Sequence, residues 1–206
     1  RLVELLEALE EIDGIQWIRL MYLYPMYFTD RLIETIAGSK KILPYLDMPL
    51  QHASDPVLKR MQRRVSRGPT EELLAKLRDQ IPNLVLRTTM ITGFPGETDE
   101  DFEETMELVR SVTYAQAYSF KFSPRPGTPA AIMENQVSEE VKSFRLRSLQ
   151  ALLKEQQIAF NNSVVGKTLP VLIENTGKTA GSAFGRSPYM QAVQVHIGDT
   201  SFDDLN

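Results

Sequence analysis

With 206 residues, 42% of them hydrophobic, the chain can bury one sizeable core and still carry a small appendage. Its net charge of −4 and pI of about 5.4 exclude a global basic field for nucleic acid, so any such contact must come from a local patch. The lack of cysteine excludes disulfides and thiolate metal sites, and no apolar run approaches the roughly 20 residues of a membrane span.

Strand and helix patterns alternate along the chain. Leu2, Leu5, Leu6 and Leu9 recur at helical spacing and predict a helix over Leu2–Glu11. Trp17–Tyr24 is rich in β-branched and aromatic residues and reads as a strand halted by Pro25. Asp30 is placed to cap a helix whose inner face is Leu32, Ile33 and Ile36. Tyr45–Leu50 is the next strand, followed by a helix over Asp55–Arg63 opened by Asp55-Pro56 and another over Thr70–Gln80 opened by Thr70-Glu-Glu. Leu84–Thr92 then reads as a strand, Thr98–Val112 as a helix and Ala115–Phe122 as a strand. Parallel strands with helical crossovers follow, giving an α/β fold with about half of an eight-stranded barrel.

From Ser138 the pattern changes. A long amphipathic helix runs to about Asn161, with Leu146, Leu149, Leu153 and Phe160 on one face and Lys and Glu opposite. Thr168–Ile173 and Met190–His196 are short strands separated by the Gly/Ser/Thr-rich Asn175–Ser182, the beginning of a small β-barrel too short to close. The expected divisions are 1–137 for the partial barrel, 138–163 for the connecting helix and 164–206 for the β module. Arg1 opens the chain and Asp203–Asn206 ends it without a domain boundary, so the sequence reads as part of a longer protein.

Three stretches carry possible chemistry. At the end of a strand, Gln51 offers an amide to sugar hydroxyls, and Arg63 further on offers a bidentate grip on a carboxylate. Read from the residues alone, the pair is equally a loop amide and one of three crowded arginines, Arg60, Arg63 and Arg64. Gly93-Phe-Pro-Gly-Glu97 lets backbone approach a ligand, or is an ordinary strand-to-helix turn with Thr98 as N-cap and Asp99, Glu100 and Asp101 matched to the helix dipole. In Tyr118–Pro129, Lys121 and Arg125 are placed for phosphate and the aromatics for bases, unless those rings are simply core. His52 stands at a strand end as a packing or supporting residue, and His196 lies in the tail.

The strings PLQHASDPVLKRMQRR, VLRTTMITGFPGE and SPRPGTPAA resemble radical SAM (S-adenosylmethionine) enzymes, most closely methylthiotransferases of the MiaB and RimO kind. Gly14 to about Pro95 is more similar to RimO-type proteins; from about Thr98, YAQAYSFKFSPRPGTPAA, LQALLKEQQ and FGRSPYMQAVQV are more similar to MiaB-type ones. The tail resembles the RNA-binding TRAM barrel of that family, here incomplete.

This resemblance implies a radical SAM partial barrel with a truncated TRAM-like segment. It places Gln51, Arg63, Thr89, Gly93 and Pro95 around SAM, and makes Lys121, Arg125, Lys167 and Arg186 candidates for RNA contact. It implies SAM and two 4Fe–4S clusters in the full-length family, none ligated by this cysteine-free chain, which by itself is expected to be inactive. The implied partner is a tRNA anticodon stem-loop bearing isopentenyladenosine, with an aspartate of ribosomal protein uS12 as the RimO-type alternative. A monomer in the cytoplasm is expected. A non-catalytic RNA-binding module and a cofactor-free barrel lyase are the readings from other classes.

Overall fold

The computed structural model describes residues 1–198 and 200. Four parallel strands lie side by side in chain order: β1 (Ile18–Leu20), β2 (Ile42–Asp47), β3 (Val85–Thr92) and β4 (Gln116–Lys121). Parallel neighbours need a crossover, and each is helical. α1 (Leu2–Glu10) precedes β1; α2 (Asp30–Gly38) joins β1 to β2; α3 (Asp55–Arg60) and α4 (Arg67–Gln80) join β2 to β3; α5 (Asp99–Val112) joins β3 to β4. This is the expected partial (β/α) barrel wall.

Side-chain alternation gives the sheet two faces. Leu46, Met48, Leu86 and Met90 point to the helices and form the main core with Ile33, Ile36, Leu77 and Val109. The opposite, concave face carries Tyr45, Arg87, Thr89 and Ile91, continued by Gln116, Tyr118 and Phe120 through the register Arg87↔Gln116, Thr89↔Tyr118 and Ile91↔Phe120. At the start of the strands a smaller apolar cluster of Leu43, Tyr45, Val85 and Ala115 packs against Phe160, Tyr189 and Met190.

Several expected boundaries move. β1 is only Ile18–Leu20, because Tyr22 turns into the left-handed region (φ 56°) and its N–H bonds the Asp47 side chain instead of a neighbouring strand. Thr29, not Asp30, caps α2, its hydroxyl accepting from Leu32 N. α3 stops at Arg60 and Gln62 adopts φ 56°, so Arg63 lies beyond the helix. α4 begins three residues before the expected Thr70, whose hydroxyl donates to the Ser66 carbonyl. α5 matches expectation in full, with Thr98 and Asp101 closing a reciprocal capping box.

The long helix is α6 (Glu139–Ser163), capped by Ser138. Leu149 and Leu153 are buried as expected, but Lys142 and Arg145 are buried too, so its polar residues do not all lie on the outer face. Beyond it, β5 (Leu172–Thr176), β6 (Ser182–Arg186) and β7 (Ala192–His196) form an antiparallel sheet; β5 runs into the expected separator Asn175–Ser182 rather than ending at Ile173, and β6, which starts at its last residue, was not expected as a strand. The end of the expected β module, from residue 201, lies outside the described residues. Arg19 Nη1 donates to Pro188 O at 2.8 Å, and Gln191 Nε2 to Asn161 Oδ1 at 2.7 Å, tying this sheet to the barrel wall and to α6.

Candidate functional site at the strand ends

A cavity of about 650 Å³ opens at the carboxyl ends of β3 and β4, where parallel α/β sheets bind ligands. After β2 the chain leaves the sheet at Pro49 and returns at Gln51, whose N–H donates to Thr89 O and whose carbonyl accepts from Ile91 N, both at 2.8 Å. These two bonds hold Gln51 at φ 74°, a region costing a residue with a Cβ of order 1–3 kcal/mol. Its side chain borders the cavity beside Arg60, Phe94, Phe120, Phe122, Lys121 and Arg125.

The loop after β3 is built on one carboxylate. Glu97 Oε2 accepts from Gly93 N (2.6 Å) and Phe94 N (3.1 Å), while Oε1 accepts from Arg145 Nη1 (2.9 Å). His52 Nε2 lies 3.3 Å from Oε2; its Nδ1 accepts from Ser54 N at 3.0 Å, which puts the imidazole proton on Nε2, facing Glu97. Gly93 is required twice over. It sits at φ 74°, and a Cβ there would lie 2.2 Å from Lys142 Cγ.

Asp101 forms a second buried node. Ser54 Oγ donates to Oδ1, Thr98 N donates to Oδ2 at 2.9 Å, and Arg60 Nη2 lies 3.5 Å away while donating to Gly96 O at 2.9 Å. Burial opposes the charge on Asp101, but the hydrogen bonds from Ser54 and Thr98 and the Arg60 charge outweigh it and hold the carboxyl below its usual range. Arg60 Nε remains buried without a hydrogen-bond partner among the described residues.

The cavity wall thus contains Gln51, Lys121 and Arg125 of the residues singled out from sequence, and not the others. Arg63 donates from Nη2 to Pro49 O at 2.6 Å and lies 4.6 Å from the centre of the Tyr24 ring; burial pushes its guanidinium below the usual value. Thr89 sits on the concave face next to Gln51, and Gly93 and Pro95 are buried behind the wall. Lys121 is paired with Glu139 at 2.8 Å. Lys167 borders a second cavity of about 530 Å³ with Gln116, Gln157 and Asn161, and Arg186 pairs with Glu174 at 3.2 Å. Sequence reasoning missed Arg60 as the wall residue and Glu97, Lys142 and Arg145 as its support. The buried charges on α6 were the available signal, hidden because charged helix residues ordinarily face water.

Comparison with known proteins bears on the family and the fold. The model of the Radical SAM superfamily matches residues 1–109. The chain is 43% identical over 204 residues to a tRNA-2-methylthio-N(6)-dimethylallyladenosine synthase of Rickettsia canadensis, covering 99% of this chain and 45% of that protein. A protein of the same name from Maricaulis maris is 48% identical over 184 residues, covering 89% of this chain and 40% of the relative. The chain therefore spans less than half the length of these relatives, and the first alignment runs through both the RimO-like and the MiaB-like stretches. Among solved structures, coproporphyrinogen III oxidase (HemN) from Escherichia coli superposes with a TM-score of 0.62 at 16% identity, covering 89% of this chain and 48% of that one. The methyltransferase TsrM from Kitasatospora setae gives 0.51 at 17% identity over 63% of this chain and 26% of its own. These two likenesses show the fold alone. Since the matched model takes in β1 to β3 and the helices around them, more than half of the residues, the chain belongs to the radical SAM superfamily.

Proposed function

We propose that this chain is the cofactor-positioning and substrate-reading part of a radical SAM methylthiotransferase that modifies isopentenyladenosine beside the tRNA anticodon. The observation that carries this reading is the 43% identity over 99% of the chain to a tRNA-2-methylthio-N(6)-dimethylallyladenosine synthase. A monomer acting in the cytoplasm belongs to the same reading; no described helix is long and apolar enough to cross a membrane. The sheet after α6 is read as part of a TRAM-like module.

The cavity suits SAM in its donor set. Gln51 presents an amide to ribose hydroxyls, and Arg60, with its buried and unpartnered Nε, presents a cation to a carboxylate. In this assignment Arg60 takes the part that the family resemblance assigns to Arg63, while Thr89 stays beside Gln51 on the concave face and the Gly93–Pro95 turn supports the wall from behind. Phe94 and Phe122, with ring centres 5.0 Å apart, make its water-excluding side. The iron–sulfur clusters do not fit residues of this chain: it has no cysteine, and among the described residues no three His, Asp or Glu side chains come together as a metal site. Bound in the full-length protein, SAM and a reduced cluster would supply the radical chemistry at an unreactive carbon. This chain's part is position and charge.

The test is the full-length gene product, reconstituted with iron and sulfide and offered an isopentenylated anticodon stem-loop or the ribosomal protein uS12. Mass spectrometry should find the methylthio group on the RNA. Modification of the ribosomal protein with untouched RNA would overturn the tRNA assignment and favour the RimO-type alternative.

A further inference from the structure

Alternation on β4 brings Gln116, Tyr118 and Phe120 to the concave face. Tyr118 and Phe120 are 55% and 54% exposed, although aromatic rings on a strand ordinarily pack inward. Their centres are 6.3 Å apart with planes inclined by 33°, and the Arg87 guanidinium lies 4.3 Å from the centre of the Tyr118 ring. Phe120 borders the strand-end cavity and Gln116 borders the second cavity beside α6, so these three side chains connect the two.

Charge along this line is one-sided. Among the described residues neither cavity wall contains a carboxylate, although acidic residues outnumber basic ones 27 to 23 in the chain. Asp47 faces Arg87 and Glu139 holds Lys121, but Arg125 and Lys167, one in each wall, have no salt bridge among the described residues. The second cavity adds the amides of Gln116, Gln157 and Asn161, which both donate and accept.

We infer that this face is a track for single-stranded RNA, with bases stacked on Phe120 and Tyr118, a third read by the amides at Gln116, and phosphates met by Arg125 and Lys167. The inference rests on the tRNA reading above and adds where the strand runs. Exposed aromatics on a sheet stack bases that are already unpaired, while flanking cations follow the backbone. A duplex keeps its bases paired and offers these rings nothing.

The experiment is fluorescence anisotropy of labelled oligouridylate and oligoadenylate with the full-length protein that contains this chain. Tyr118→Ala and Phe120→Ala should each weaken binding about tenfold, and Tyr118→Phe should retain it. Lys167→Ala should reduce the salt slope by about one. Tyr27→Ala, an exposed aromatic outside both cavities, should change nothing. The same strands annealed to their complements should bind at least tenfold more weakly. Unchanged affinity in both alanine variants, preference for duplex, or no binding at low salt overturns the track. So does sedimentation showing that the face is covered by a second copy of the chain through Tyr118. The tRNA reading is judged separately. If the full-length enzyme with both alanines modifies tRNA with unchanged KM, the track falls and that reading stands. If the wild-type enzyme leaves tRNA unmodified, that reading falls while oligonucleotide binding still decides the track.

Discussion

Glu97 and Arg145 meet at 2.9 Å with side chains 0% and 5% exposed, joining the turn after β3 to the long helix that leads to the second sheet. The same carboxylate takes the backbone N–H groups of Gly93 and Phe94, so the pair fixes the loop at the cavity's edge. Removing one partner of a buried pair strands the other charge, at a cost of about 3 kcal/mol or more. Arg145→Met should therefore lower stability by about 3 kcal/mol in urea unfolding. Adding Glu97→Gln should restore part of it, and a purely additive double variant would speak against coupling between the two.

Gly93→Ala combines two penalties that a second substitution can separate. The new Cβ meets Lys142 Cγ, and the left-handed φ of 74° remains strained whatever the neighbour. Lys142→Ala removes the 2.2 Å collision with Cγ, keeps a tight 3.2 Å approach to Cβ, and leaves the backbone strain, of order 1–2 kcal/mol. Thermal denaturation should rank Gly93→Ala as the least stable of the set, with the double variant recovering most of the difference. Equal stability of the single and double variants would show that the collision is relieved in some other way.

Acid stability has a defined sign. Asp101 is held below its ordinary value in the folded protein. Its contribution is complete above the unfolded value of about 4 and is lost as pH falls through the depressed folded value. Glu139 is shifted in the same direction, drawn down to about 2 by its bonds to Lys121 and Lys142. Stability should therefore fall as pH drops from about 4 toward 2. Asp101→Asn should flatten that dependence more than Glu139→Gln does, because Glu139 is exposed and its pairs are screened by water. Denaturation midpoints at several pH values would check this.

How much was legible follows from what each residue signals. The alternation of β-branched runs with amphipathic stretches was enough for the parallel wall, because each crossover carries its own apolar face. β6 was not legible: Ser182–Arg186 has no β-branched residue, and Gly185 is needed where a Cβ would sit 2.2 Å from Leu172 O. The reach of α3 misled in a different way. Continued as a helix it carries Arg63 along with it, but Gln62 at φ 56° breaks the helix, so the spacing that suggested Arg63 leads instead to Pro49 and Tyr24. Gln51 was legible as a strand-end amide, while its left-handed backbone depends on bonds to β3 that no local pattern encodes.

The two arginines give the sharpest test of the proposed site. Arg60 borders the cavity with its Nε unpartnered, whereas Arg63 is occupied by Pro49 O and Tyr24. Lysine keeps the charge but loses the bidentate fork, so a carboxylate held by Arg60 loses a charge-assisted hydrogen bond worth roughly 1.5 kcal/mol or more. In the reconstituted full-length enzyme, Arg60→Lys should raise KM for SAM about tenfold, while Arg63→Lys should move it less than about twofold. Arg60 also donates to Gly96 O and faces Asp101, so a urea melt of each variant is needed beside the kinetics. Arg60→Lys with near-native stability and a raised KM places the carboxylate at the cavity wall. The reverse ranking, with Arg63→Lys raising KM, would return that role to Arg63 and require its guanidinium to leave Tyr24 when SAM binds.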